Sequence, residues 1–428
     1  MEVILKNVIE KQKSVLETSL KEIYVERTKY QEIKDLVKTD LIKVIIGPRR
    51  TGKSVLALMM GKNLKFAYLN FDEEGLVPFL EKSKDYNLLL KEMLAVYGET
   101  KFLIFDEIQN LDNWELFINR LHREGYNIIL TGSNAKLLSK ELATHLTGRC
   151  LQIEIFPFSF EEFLSANEFN SKADLSLPEN KGRLLNLLDA FMNNGGYPEV
   201  VTHKLDHKNY LAQLFDATIF KDVVKRYRVR NFNKIFDLGI YLINNIGNEL
   251  SYSRLAKILE VKSVVSVVKY VSFLEESYLL FILGGYSYKT GERLKSLKKM
   301  YVVDNGFITA KAVQLSPNKG KLMENLVFTE LLKRNFHPNL DLFYYRTRNN
   351  KEIDFVLKKG YKVDQLVQVA FDLPDITTEK REVKALLEAS GELKCDDLAL
   401  ITWDREEIGE INGKKIKFIP LWKWLLKV

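Results

Sequence analysis

Apolar positions along this chain recur in two rhythms. In the first third, short β-branched or aromatic runs alternate with longer stretches of helical spacing. The pattern predicts strands at Val44–Ile46, Phe66–Phe71, Phe102–Phe105, Ile128–Thr131 and Leu151–Ile155. It predicts helices at Ser54–Gly61, Leu76–Tyr97 and Trp114–Glu124. Such alternation implies a parallel sheet with helices on both faces. Ser159 to Tyr227 reads as mainly helical, broken at "NNGGYPEVV" (Asn193–Val201), where Gly195, Gly196 and Pro198 impose a sharp turn. Ile235–Leu283 reads as three short helices and an apolar strand, and a hairpin-like stretch, "GGYSYKTGERLKSLKKMYVV", follows. Beyond Tyr301, strands at "LFYYR", "EIDFVL", "QLVQVAF" and "DLALITW" mix with helices around Glu324–Arg334 and Glu379–Ser390, a second α/β unit.

Composition narrows this picture only a little. The chain has 428 residues, too many for one core, with 46% apolar and 28% charged residues, the balance of a globular protein. Its net charge of +7 is mild over that length, so only local clustering of basic residues can argue for nucleic acid. Cys150 and Cys395 are its 2 cysteines, and neither stands in a metal-ligand spacing, which fits a reducing cytosol. No stretch reaches the roughly 18 to 20 apolar residues that span a bilayer. The opening "MEVILKNVIEKQKSVLE" is interrupted by charges, unlike a secretory leader. A cytoplasmic protein without membrane contact is expected.

One turn carries specific chemistry. Gly47, Pro48, Arg49, Arg50, Thr51, Gly52, Lys53 and Ser54 fit G-x-x-x-x-G-K-[ST], with a strand before and a helix after, and the nucleotide-binding residues are expected to run on to Val55. Glycines let successive N–H groups point inward at phosphate oxygens, and the helix adds its positive end. Lys53 is expected to reach the β- and γ-phosphates of ATP and Ser54 to bind Mg²⁺. Arg49 and Arg50 are either solvated or in contact with phosphate or a partner. "KFLIFDEIQN" supplies the matching acids at a strand end. Asp106 is expected to hold Mg²⁺ and Glu107 to act as general base.

The next strand ends in Thr131-Gly-Ser-Asn134, between the turn and the Asp-Glu strand. Asn134, then Ser133, is the candidate to orient water or sense the γ-phosphate; a helix N-cap is the other role these residues suit. Arg149 is read as an arginine finger in a homo-oligomer, or as a structural ion-pair partner. Arg27 is a guess for the adenine contact.

The order of P-loop, "YLNFDEE", "LIFDEIQ", "LTGSNA", "LTGRCLQIEIFPFSFEEFL" and "GGYPEVV" resembles the AAA-type P-loop ATPases common in archaea and bacteria, a group similar to STAND and archaeal ATPases. The resemblance covers nearly the whole chain. It implies an α/β fold of AAA/ASCE type over residues 1–158, a helical lid over 159–229, a winged helix-turn-helix over 230–300 and a nuclease-like α/β domain over 301–428.

In the middle segment Tyr252–Leu259 and Ser263–Glu276 have helix-turn-helix shape, with Val264, Val267, Val268, Val271 and Leu274 expected inward. Basic clusters at Lys221–Arg230 and at Lys289–Lys299 suit phosphate contacts with DNA. The second helix carries few basic residues, so a protein-packing role stands beside the DNA reading. For the last domain the resemblance implies that Glu324 and Asp354 would ligate Mg²⁺ in a nuclease, with Gln368 and Ala370 where a Glu-x-Lys pair is required. Gln368 lacks the charge and Ala370 the amine, so cleavage is not expected. Ion pairing of Glu324 and Asp354, or a docking surface, is the alternative.

Overall fold

β1 (Ile42–Ile46), β2 (Ala67–Asn70), β3 (Phe102–Asp106), β4 (Asn127–Gly132) and β5 (Cys150–Glu154) form one sheet in a computed structural model of the chain. The structure describes residues 2–22, 24–83, 85–133, 146, 148–312, 318–372 and 376–427, without the side chains of 82–83 and 376–378. The strand order is β2-β3-β4-β1-β5, and every neighbouring pair is parallel. β1 and β3 are buried at every position, as a sheet covered on both faces requires. β4 lies between β1 and β3, so the loops after these three strands share one edge.

The helix Lys53–Gly61 follows β1 and the helix Trp114–Arg123 follows β3. In place of a continuous helix over Leu76–Tyr97, there is a short helical turn at Phe79–Ser83 and a separate helix, Tyr86–Tyr97. Asp85 starts the latter, its carboxylate accepting the N–H groups of Asn87 and Leu88. The first element, the helix Glu2–Ser19, buries Leu5, Ile9, Gln12 and Leu16, one stripe at 4-3-4 spacing. Its Gln12 amide exchanges two hydrogen bonds with the Asn70 backbone, of 3.1 and 2.8 Å, closing the free edge of β2.

Met1–Phe156 forms one compact unit and Pro157–Val428 a second. In the second unit the helices Phe160–Ala166, Pro178–Asn194, Pro198–Thr202 and His207–Thr218 come first. The break at Gly195-Gly196 is tied to a distant loop. Asp304 accepts the N–H groups of Gly196 and Gly306, both at 2.8 Å, while the Asn305 amide donates to Met192 and Leu322 carbonyls. A Cβ on Gly196 would lie 2.7 Å from the Phe158 carbonyl oxygen, so no larger residue fits there.

The helices Phe232–Ile243, Tyr252–Ile258 and Val264–Glu276 pack with a three-stranded antiparallel sheet, ordered β6 (Glu249–Leu250), β8 (Lys298–Val302), β7 (Leu280–Gly284). The link from β7 to β8 carries a short helix, Thr290–Lys295, rather than a tight hairpin turn. Val267, Val271 and Leu274 are buried, but Val264 and Val268 are each 42% exposed. The expectation that all five face inward is corrected: a single helix stripe of this width meets the core, and Val264 and Val268 lie one row around it.

The last sheet is mixed, ordered β13 (Glu407–Ile411), β14 (Lys414–Pro420), β12 (Leu398–Thr402), β11 (Lys362–Ala370), β10 (Glu352–Lys359), β9 (Leu342–Arg346). The helix Ile376–Leu393 packs Leu386, Ala389 and Leu393 against Val356, Leu366, Leu398 and Leu400. The helix Lys319–Lys333 is buried continuously from Leu322 to Leu332. No helix among the described residues is long and apolar enough to cross a membrane.

Candidate functional site

The turn after β1 is built around backbone. Gly47 has φ 148° and Gly52 has φ 86°, values that favour glycine. A Cβ on Gly47 would lie 2.0 Å from the Ile155 carbonyl oxygen, so the turn admits no side chain there. Lys53 and Thr51 are buried, and Thr51 Oγ1 donates to the Pro48 carbonyl at 2.9 Å. Lys53 Nζ turns back onto its own loop, donating to the Gly47 and Pro48 carbonyls at 3.1 and 2.7 Å. Arg49 lies 3.9 Å from Asp72, and Arg50 takes a left-handed conformation. Val55 lies in the first turn of the helix Lys53–Gly61.

Asp106 closes β3 directly opposite this turn. Its Oδ1 accepts from Ser54 Oγ at 2.9 Å and from Thr131 Oγ1, and its Oδ2 accepts from Tyr68 Oη at 2.9 Å. Burial and the neighbouring Glu107 charge push the Asp106 carboxyl up, and those three hydroxyls pull it back. The same burial and Asp106 itself push the Tyr68 phenol up, so it stays a donor.

Glu107 sits at φ 51°, ψ 47°, a strained position for a side chain of its size. Its N–H donates to Thr131 Oγ1 at 3.0 Å, and Gln109 Nε2 donates to its carboxylate. Lys53 Nζ is 4.0 Å away. Burial would raise the Glu107 carboxyl, but Lys53, the Gln109 amide and Arg49 outweigh it and hold it below the ordinary carboxylate range. An ionised carboxylate at this place can accept a proton.

Thus Gly47–Ser54, Asp106 and Glu107 are brought together as the sequence predicts. Ser133 is buried, 3.5 Å from Gln109 Nε2. Asn134 lies outside the described residues. Arg149 is exposed and donates to Asn119 Oδ1 at 2.6 Å. Arg27 is buried and clamps backbone, donating to the Thr51 carbonyl at 2.7 Å and the Phe156 carbonyl at 2.6 Å. Arg27 thus braces the turn through two carbonyls. Thr131, Tyr68 and Gln109 were not foreseen. Thr131 was legible in "LTGS", the strand end between the two motifs, whereas nothing local marks Tyr68.

In the second unit Glu324 and Asp354 do converge, on an amine the sequence placed elsewhere. Lys299 Nζ is 3.0 Å from Glu324, 2.6 Å from Glu352 and 3.4 Å from Asp354, and its side chain is 0% exposed. Its assignment to a phosphate-contacting cluster is corrected, because alternation along β8 turns it inward. Gln368 donates to Glu382 at 2.7 Å and accepts the Asp354 N–H at 3.2 Å. Ala370 belongs to the hydrophobic core of the sheet. Of the other cluster, Lys221, Lys225, Arg228 and Arg230 are exposed, while Arg226 lies 3.4 Å from buried Asp222.

A parallel sheet whose first strand feeds a glycine-bounded turn, beside an Asp-Glu strand end, defines a P-loop nucleotide-binding core. The family models agree. A family model described as an AAA domain matches residues 39–164. Two described as domains of unknown function, DUF8612 and DUF4143, match residues 185–318 and 319–424. The uncharacterized protein MJ1544 of Methanocaldococcus jannaschii is 40% identical over 400 residues, covering 90% of this chain and 88% of that protein. An uncharacterized protein of Haemophilus influenzae is 31% identical over 407 residues, covering 92% and 96%. A Walker-type ATPase of Pyrococcus abyssi aligns with a TM-score of 0.43 at 16% identity, over 68% of this chain and 96% of that one. The chain belongs to this archaeal and bacterial family of AAA-type P-loop ATPases with a C-terminal domain of unknown function.

Proposed function

We propose that this chain is a cytoplasmic, Mg²⁺-dependent ATPase whose nucleotide state gates contact of its second unit with DNA or a protein partner. One observation carries the reading: Ser54 and Asp106 meet at 2.9 Å while ionised Glu107 stands 4.0 Å from Lys53. The residues fit the absent nucleotide and ion, since the turn is glycine-bounded where a Cβ would collide and hydroxyl and carboxylate converge beside it. Bound Mg·ATP supplies the γ-phosphoryl group as electrophile.

The chain does the rest. The backbone N–H groups of Gly47 and of Arg49 to Val55 would hold phosphate oxygens, and Lys53 would neutralise their charge. Ser54 and Asp106 would hold the ion. Glu107 would take the proton of the attacking water, Asn134 would orient that water, and Arg149 would complete the site of a neighbouring copy. ATP turnover by the wild type and Glu107→Gln tests this. A wild-type rate near zero with tight ATP binding would instead support a slow nucleotide-controlled switch.

The segment Phe232–Val302 has the helix and strand order of a winged helix. Exposed Lys221, Lys225, Arg228 and Arg230 support a nucleic-acid contact. On the helix that would read a groove, however, Val264, Val265 (63% exposed) and Val268 face solvent, which favours a protein partner. A gel shift that weakens steeply with salt supports DNA; no shift at low salt supports protein.

A further inference from the structure

The carboxylates of Glu324, Glu352 and Asp354 converge on one point, and an ammonium occupies it. Lys299 Nζ has three donors and faces three acids, at 3.0, 2.6 and 3.4 Å. Each carboxylate also accepts from a second group. Glu324 accepts from Tyr301 Oη at 2.7 Å and from Lys321 at 2.8 Å. Asp354 accepts the Val369 N–H at 3.0 Å, and Glu352 accepts from Arg346 at 3.2 Å. Burial would strip a lone lysine of its proton, but the oxygens of Tyr301, Glu324, Asp354 and Glu352 hold Lys299 charged.

Burial does not isolate these acids from ions. Glu324, Glu352 and Asp354 also line a cavity of about 410 Å³, together with Gln368, Lys351 and Glu382. A hard divalent ion gathers about six oxygens at roughly 2.0–2.6 Å. Here the point of convergence is filled, and among the described residues no group of three or more His, Cys, Asp or Glu side chains could hold a metal ion. The Mg²⁺ that a nuclease-like reading implies therefore does not fit this cluster as it stands.

We propose that Lys299 is the permanent cation of this cluster, that it excludes divalent metal by occupancy, and that its removal opens a metal site. This cluster then does not serve as the Mg²⁺ centre of a nuclease. This inference is independent of the ATPase reading, since it concerns other residues and needs no nucleotide.

The test is Mn²⁺ added to the nucleotide-free full chain at pH 8, with free Mn²⁺ followed by electron paramagnetic resonance. Wild type and Asp354→Asn should take up equally little. Lys299→Met should gain one Mn²⁺ with a Kd on the order of 10⁻⁴ M, and Lys299→Met/Asp354→Asn should lose it. Lys299→Met leaves buried acids unpaired and can unfold. In that case Mn²⁺ at about 100 times that Kd should restore a cooperative melt. Three results overturn the proposal: wild-type uptake that Asp354→Asn abolishes, a folded Lys299→Met with no added uptake, or an unfolded one that Mn²⁺ does not rescue.

Discussion

Ser54 Oγ and Asp106 Oδ1 are joined by a 2.9 Å hydrogen bond that links the phosphate-binding turn to the end of β3. The pair lies 52 positions apart in sequence. The bond sets hydroxyl and carboxylate side by side at one corner of the turn. Asp106→Asn should cut Mg·ATP turnover at least about 100-fold, the scale of losing one charge-stabilising group. Nucleotide affinity in EDTA should stay within about threefold. Equal loss of both would show that Asp106 shapes the fold instead.

Glu107 is expected to act on the proton, not on binding. Glu107→Gln should lower kcat by about 10² to 10⁴, the usual worth of a general base, with little change in ATP affinity by calorimetry. A wild-type-like rate would remove Glu107 from the mechanism.

Arg27 holds the turn in place through two carbonyls, Thr51 and Phe156. Arg27→Ala should destabilise the first unit by about 2–4 kcal/mol, since charged hydrogen bonds contribute about 1.5–3 kcal/mol each and are not fully additive. ATP affinity should fall about tenfold, because the loop must then be ordered on binding. Denaturant melts and calorimetry on the same variant separate the two effects.

Asp304 titrates in the physiological range. Burial raises its carboxyl to about 6, against the N–H groups of Gly196 and Gly306 and the charge of Lys333. For an acid raised in the folded state, the native form binds the proton more tightly than the unfolded chain. That contribution is fully present below the ordinary value of 3.8 and is lost as pH rises through about 6. Between pH 7 and pH 5 wild-type stability should therefore gain about 1 kcal/mol relative to Asp304→Asn. Urea titrations at both pH values read the difference; a flat difference would show Asp304 ionised throughout.

Much of the first unit was legible because its signals are local. All five strands appear near their expected places, since a buried parallel strand needs a continuous apolar run. Asp85 shows the limit: the apolar rhythm continued past Leu76, and only a cap separates the two helical pieces. Glu2–Ser19 was not foreseen as a helix because charges crowd its sequence, yet they fall on the far side of one narrow stripe. β13 and β14 went unread because one edge strand, Glu407–Ile411, buries no residue fully. Lys299 was misplaced because neighbouring basic residues look alike in sequence, while strand alternation sends Lys298 and Lys299 to opposite faces.

The sequence by itself determined the nucleotide-binding core. A glycine-bounded turn, a lysine, a hydroxyl and a pair of acids at a strand end are contiguous motifs, and their spacing already specifies backbone geometry. Tertiary structure alone decided which groups hold those motifs and what the acids of the second unit face. Tyr68 reaches Asp106 because β2 pairs with β3. Arg27 reaches the turn from 24 positions away. Lys299 meets Glu324, Glu352 and Asp354 because a three-stranded sheet, a helix and a separate six-stranded sheet pack around one point. Buried charge must find its counter-charge wherever the fold brings one, and linear spacing carries no record of that.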